Sequence, residues 1–134
     1  MPIVYAAVKA LVTDGEKFLL LKQDVGGEIF WDLPGGRVQF GESPVDGLKR
    51  EGREELGQEL QVGRPLGVWW FFRKADGDQV VCTTYLCSVP NPEIVLPAQE
   101  GEKISGFVWV AKADLARPEF TSVVPSLRAL IESA

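Results

Sequence analysis

Residues 3–12 are almost continuously apolar, the pattern of a strand buried on both faces. Asp14-Gly15 signals a turn, and residues 18–21 begin a second strand. Gly26-Gly27 opens a loop leading to Trp31-Asp32-Leu33, and Pro34-Gly35-Gly36 bends the chain toward a helix predicted over residues 43–56. Ser43 suits the N-cap of that helix, Pro44 its first position and Gly57 its stop. Asp46 is a weaker capping-box partner than Glu or Gln. At about 100° per residue, Val45, Leu48, Gly52 and Leu56 share one side of the helix.

Residues 60–73 and 80–89 read as strands, with Asp76-Gly77 as a hairpin cue between them. Residues 90–101 form a loop rich in Pro and Glu, and residues 104–110 another strand. A short helical turn near Asp114 precedes a last helix over residues 122–132. Val123, Val124, Leu127, Leu130 and Ile131 give that helix its apolar stripe. Strands on both sides of a central helix, with a second helix at the end, predict a mixed sheet covered on both faces. Periodicity alone leaves α/β and α+β open. Alternation along the strand puts Trp69 and Phe71 on one side and Trp70 and Phe72 on the other. One pair is expected in the core, and the other is free to pack at an interface or stack on a base.

Glu51, Glu54 and Glu55 lie on the helix arc beside the apolar one, at i, i+3 and i+4. Three like charges there raise one another's pKa unless a cation intervenes. A bare acidic run is ordinarily a solvated helix face. The preceding Leu33-Pro34-Gly35-Gly36 loop and the spaced Glu42 argue instead for a cage around a hard divalent cation, which suits phosphoanhydride hydrolysis. Arg50 can pair with Glu54 one turn on and fix its rotamer, or make an ordinary surface pair worth a few tenths of a kcal/mol. Gly47 and Gly52, inside the helix, each cost about 1 kcal/mol relative to Ala. Either another backbone or a ligand comes close there, or the helix is simply weakened.

Residues 36–58 read GRVQFGESPVDGLKREGREELGQ. The segment resembles the signature box of the Nudix (MutT-like) hydrolases, G-x5-E-x7-R-E-U-x-E-E-x-G-U, where U is a bulky aliphatic residue. Gly36, Glu42, Arg50, Glu51, Glu54, Glu55 and Gly57 fill every fixed position. At average residue usage the match has a chance on the order of 10⁻⁸ at one start point. Gly52 and Gln58 depart from the pattern at two positions where the family packs an aliphatic residue.

The resemblance implies an α/β fold, the α/β/α sandwich with a mixed β-sheet, as one domain over residues 1–134. It implies Mg²⁺-dependent hydrolysis, with Mn²⁺ able to substitute, of a nucleoside diphosphate linked to another group, such as a nucleoside triphosphate or nucleotide sugar. It carries Glu51, Glu54 and Glu55 over as metal ligands, with the Gly35 backbone carbonyl as a further one. Glu51, Glu54 and Arg50 are then the catalytic candidates. Some members use the carboxylate matching Glu51 as general base, and others draw a base from a later loop. Glu100 and Glu102 are the candidates for that role here, beside their ordinary reading as solvated charges. Glu42 is expected to support the loop and helix by pairing with Arg50. Markers of the ADP-ribose, dinucleoside polyphosphate and NADH subfamilies are absent.

Composition narrows the partners. In 134 residues the chain is 46% hydrophobic and 25% charged, as in an ordinary globular protein. Its net charge of −5 argues against a general nucleic-acid or membrane surface. With no His, His-ligated zinc and Ser-His or Cys-His catalysis are excluded. Cys82 and Cys87 point to opposite faces of one strand and are expected to be buried, unbridged thiols, which fits a cytoplasmic location. Neither a signal peptide nor an apolar run of membrane-spanning length is present. The expected ligand is a small nucleotide, and the apolar strand surfaces would allow a homodimer. Trp31, Arg37 and Arg73 are the substrate-binding candidates, the arginines as planar forks for phosphate or as plain surface charges. The alternative is a non-catalytic nucleotide-sensing or partner-binding module of the same fold, although such modules usually lose box carboxylates that this chain keeps.

Overall fold

The computed structural model describes residues 1–97 and 104–134. Seven strands run in the order β1 (Val4–Val12), β2 (Phe18–Val25), β3 (Glu28–Asp32), β4 (Gly35–Arg37), β5 (Gln61–Phe72), β6 (Gln79–Ser88) and β7 (Ile104–Val110). Helix α1 (Pro44–Leu56) follows β4, and α2 (Pro125–Ser133) closes the chain after two 3-10 turns at Lys112–Ala116 and Pro118–Phe120. One sheet is mixed, in the order β4-β1-β6-β5, with β1 and β6 parallel and the other pairs antiparallel. The other sheet is antiparallel, in the order β3-β2-β7.

Two cores account for the near-continuous apolar run of β1. Val8, Ala10 and Val12 pack with Leu48 and Leu56 of α1 on one side. Ala7 and Leu11 pack with Leu127, Leu130 and Ile131 of α2 on the other. The result is the expected α/β/α arrangement. Cys82 and Cys87 are free thiols, one in each core. Burial pushes both up to about 12.

Three elements depart from the sequence expectation. Gly35–Arg37, expected as part of a bend, pairs antiparallel with β1 as the short edge strand β4, where glycines allow the close approach of the two backbones. The loop expected after Gly26-Gly27 is instead a tight hairpin into β3: both glycines have positive φ, 60° and 86°, and Val25 faces Glu28 across the turn. That turn geometry follows the right-handed twist of the strands. The last helix begins at Pro125, three residues later than the expected start at residue 122. Proline holds the preceding Val124 extended, at ψ 148°, so Val123 and Val124 pack ahead of the helix.

Side chains, rather than a backbone or ligand, account for the interior glycines of α1. A Cβ at Gly47 would lie 2.8 Å from Glu42 Oε1, and one at Gly52 would lie 2.6 Å from Leu60 Cγ. Leu60, fully buried, thus supplies from outside the helix the aliphatic bulk that Gly52 lacks. Gln58, the other departure from the box, exchanges two hydrogen bonds with the Asn91 backbone, at 2.8 and 2.9 Å. We expect Gly52→Ala to destabilise the fold by about 1–3 kcal/mol through overpacking, despite the helix propensity of Ala. Urea unfolding checks this: Gly52→Ala/Leu60→Ala should lose less than the two single changes together, because the clash is shared.

Candidate active site

Helix α1 starts where the sequence places it. Ser43 Oγ accepts from the Asp46 N–H at 3.1 Å, and Gly57 closes the helix in the left-handed region at φ 66°. Its acidic arc faces the edge strand β4. There Gly36 has no Cβ, and a Cβ would lie 2.6 Å from Glu51 Oε1. The glycine lets the Glu51 carboxylate lie directly against the strand.

Arg50 is the hub of this arc. It donates to Glu42 Oε1 at 2.8 Å and Glu42 Oε2 at 3.1 Å, a bidentate pair. Its Nη1 donates to Glu51 at 3.0 Å and to Glu54 at 3.3 Å, and its Nη2 reaches the Arg37 carbonyl at 3.2 Å. The fork against Glu42 is tighter than the i,i+4 contact with Glu54. Glu42 also accepts from the Gln39 N–H, and these bonds, that of Arg50 foremost, hold its carboxyl down at about 2. The Glu42 bonds likewise hold the Arg50 guanidinium well above its ordinary value.

Glu55 differs from its two neighbours. It is only 7% exposed, and its Oε1 accepts from the Gly35 N–H at 2.7 Å. Burial pushes its carboxyl up to about 8, against the opposing pull of Lys9 and the Gly35 N–H. Burial also raises Glu51, against the pull of Arg50. Glu54 is mostly exposed. The three carboxylates that sequence reasoning groups together thus flank one surface, with Arg50 Nη1 bridging Glu51 and Glu54. No ready-made cluster of three metal-binding side chains exists among the described residues. The donor set itself is all oxygen, and a guanidinium already stands as a cation between two of its members, so the residues suit a hard divalent ion.

The raised carboxyl has a measurable consequence. Glu55 titrates near 4.5 in an unfolded chain and at about 8 in the fold, so the folded state keeps its proton longer. Its contribution to stability is therefore complete below 4.5 and is lost as pH rises through about 8. Thermal unfolding of the metal-free protein in chelator should show that decline, and Glu55→Gln should flatten it.

Sequence reasoning missed Lys9, the one charged residue in the apolar run of β1. It is buried, and its Nζ donates to Asp32 Oδ2 at 2.9 Å. Burial alone would lower its pKa, but Asp32 and Glu55 outweigh that and raise it. Asp32 in turn accepts from the Leu33 N–H at 2.7 Å, and the Ala10 N–H bonds the Pro34 carbonyl at 2.8 Å. Gly35 faces Lys9 so closely that a Cβ there would run into the Val8 carbonyl oxygen. The Lys9–Asp32 pair joins the two sheets and fixes the turn that offers the Gly35 N–H to Glu55.

Beside this turn a cleft of about 1090 Å³ opens between β3, β5 and the start of α2. Trp31, Asp32, Phe71, Arg73, Ser122 and Leu127 line it. Trp31 is fixed by donation from Nε1 to the Glu119 carbonyl at 3.0 Å and by a tilted contact with Phe120. Of the two aromatic pairs on β5, Trp69 and Phe71 form the inner one. Trp69 is buried and donates to Thr84 Oγ1, with Phe71 stacked on it. Trp70 and Phe72 are exposed. The Ser122 hydroxyl is buried without a hydrogen-bond partner among the described residues.

Arg37 and Arg73 converge on a residue that sequence reasoning passed over. Their guanidinium carbons lie 4.2 and 5.8 Å from the centroid of the Tyr5 ring. Glu100 and Glu102 lie outside the described residues. No helix among the described residues is long and apolar enough to cross a membrane.

Known proteins supply the remaining observation. The family description "NUDIX domain" matches residues 5–131. The chain is similar to the nucleoside triphosphatase NudI of Escherichia fergusonii, at 32% identity over 80% of this chain and 82% of that protein. It is similar also to the uncharacterized Nudix hydrolase YvcI of Bacillus subtilis, at 42% identity over 69% of this chain and 58% of that protein. Among solved structures, a MutT NUDIX hydrolase from Burkholderia pseudomallei superposes with a TM-score of 0.77 at 25% identity, covering 98% of both chains.

Proposed function

The chain belongs to the Nudix hydrolase family, and on that premise we propose that it is a Mg²⁺-dependent pyrophosphohydrolase acting on a nucleoside triphosphate or a related nucleoside diphosphate derivative. The observation that carries the reading is the shared cation of the acidic arc: Arg50 Nη1 lies between Glu51 and Glu54 while Glu42 grips the rest of the guanidinium. Glu51, Glu54 and Glu55 would hold Mg²⁺ or Mn²⁺, with the Gly35 carbonyl as a further ligand. A bound ion would screen the diphosphate charge and make water a better nucleophile.

The protein's own groups supply positioning. Arg50 keeps its fork on Glu42 when Glu51 and Glu54 are given up to a ligand. Glu51, half-buried and raised by that burial, is suited to take a proton from the attacking water. The Gly35 N–H holds the Glu55 carboxylate in one orientation. Trp31 and Phe71 give the cleft flat apolar surfaces for a base. Support for a triphosphate comes from the name of the NudI relative.

A panel of nucleoside triphosphates, nucleotide sugars and dinucleotides, incubated with Mg²⁺ and with the products identified, tests the proposal. Cleavage inside the phosphoanhydride chain of at least one class is expected, releasing a nucleoside monophosphate. Intact substrates across the panel, with both Mg²⁺ and Mn²⁺, would overturn it.

A further inference from the structure

Tyr5, Arg37 and Arg73 come from three separate places on one face of the mixed sheet. Arg37 stands opposite Ala7 on the edge strand β4, and Tyr5 precedes Ala7 by two residues on the same face of β1. Arg73 follows β5 just beyond Phe71, whose partner Val80 also pairs with Tyr5. Both guanidinium carbons thus lie within 5.8 Å of one ring centroid. Two cations drawn to one aromatic ring repel each other. Arg73 has Asp76 at 3.5 Å, while Arg37 pairs with no carboxylate among the described residues.

The surplus positive charge sits between two parts of the site. Arg73 lines the cleft, and the Arg37 backbone carbonyl accepts from Arg50 on α1. A substrate lying from the cleft to the acidic arc would bring its phosphates to this point. We propose that Tyr5 is a positioning residue whose ring holds Arg37 and Arg73 together as a clamp for the substrate's diphosphate, an inference that rests on the pyrophosphohydrolase reading for its place in turnover. Guanidinium forks match phosphate oxygens in a planar, paired geometry, and two forks fixed by one ring lose less freedom on binding than two loose ones. The ring face, not the hydroxyl, does the holding.

Calorimetric titration with inorganic diphosphate in chelator, where no metal can help, reads the clamp directly. Wild type and Tyr5→Phe are expected to bind alike, and Tyr5→Leu to bind about tenfold more weakly. Arg37→Ala, a change at an exposed position that leaves the core intact, should weaken binding similarly. Adding Tyr5→Leu to it should then weaken binding by less than the same change does in wild type, because only Arg73 is left for the ring to hold. With a nucleotide substrate, Tyr5→Leu should raise KM about tenfold while kcat stays within about twofold, which a merely structural loss would not do. The proposal is overturned if wild type does not bind inorganic diphosphate. It is also overturned if Tyr5→Leu or Arg37→Ala, folded by circular dichroism, binds it as wild type does, or if Tyr5→Phe fails as badly as Tyr5→Leu. Ring-dependent diphosphate binding without turnover of any nucleotide would uphold the clamp and sink the enzyme reading. Turnover with ring-independent binding would do the reverse.

Discussion

Glu54→Gln is expected to abolish turnover, by about 10³-fold or more, while the protein folds normally. A metal ion contributes several kcal/mol to stabilising charge in a transition state, and each 1.36 kcal/mol is tenfold in rate. Removing one anionic ligand forfeits most of that. The Glu54 side chain is 58% exposed, so the fold does not depend on its charge. Glu55→Gln should give a comparable loss, because a glutamine oxygen can still accept from the Gly35 N–H but no longer binds a cation strongly. Steady-state rates with excess Mg²⁺, beside thermal unfolding in chelator, separate the two effects. Near-normal turnover in both variants would remove these side chains from the chemistry.

Lys9→Met should cost the fold about 3–5 kcal/mol, the usual penalty for stranding one partner of a buried ion pair. The Nζ–Oδ2 distance is 2.9 Å, and the side chains are only 7% and 17% exposed. Without the ammonium, Asp32 keeps only its bond from the Leu33 N–H among the contacts that now fix the turn. Adding Asp32→Asn should restore part of the loss, since the amide oxygen can serve that N–H without a charge. The missing cation should also push the Glu55 carboxyl further up, because Lys9 is the strongest influence holding it down. Urea unfolding of the two variants, with the pH dependence of stability for Lys9→Met, tests both consequences. A Lys9→Met protein as stable as wild type would mean that the pair contributes nothing to the join between the sheets.

What the sequence revealed and what it hid follow from how local each signal is. Helix α1 was legible to the residue because Ser43, Pro44 and Gly57 act on the backbone next to them. The two-faced burial of β1 was legible because its unbroken apolar run leaves neither side of the strand polar enough to face water. Strand β3 was hidden: it is short, at a sheet edge and half exposed, so no alternation marks it, and Gly26-Gly27 reads equally as a loop or a hairpin. The period of β5 paired its aromatics correctly, but which pair turns inward depends on how the sheet stacks against α2.

The site divides in the same way. The acidic arc and its arginine were readable from spacing, which paired Arg50 with Glu54, whereas the tighter pairing of Glu42 with Arg50 was an expectation drawn from the family resemblance. Lys9 and Asp32 lie 23 positions apart and meet only once the two sheets are stacked. The same holds for Tyr5, whose partners stand on a neighbouring edge strand and past the end of a third strand. The glycines of α1 make sense only in three dimensions, where Leu60 and Glu42 fill the space beside them.

On the proposed function, the acidic arc of α1 takes up a divalent cation in place of its contact with Arg50. Anomalous diffraction from crystals soaked in Mn²⁺ tests it most directly. The expected result is a strong peak coordinated by oxygens of Glu51, Glu54 and Glu55, with Arg50 drawn back onto Glu42. A protein that turns over substrate with Mn²⁺, yet shows no peak there and keeps Glu51 and Glu54 on Arg50, would contradict it.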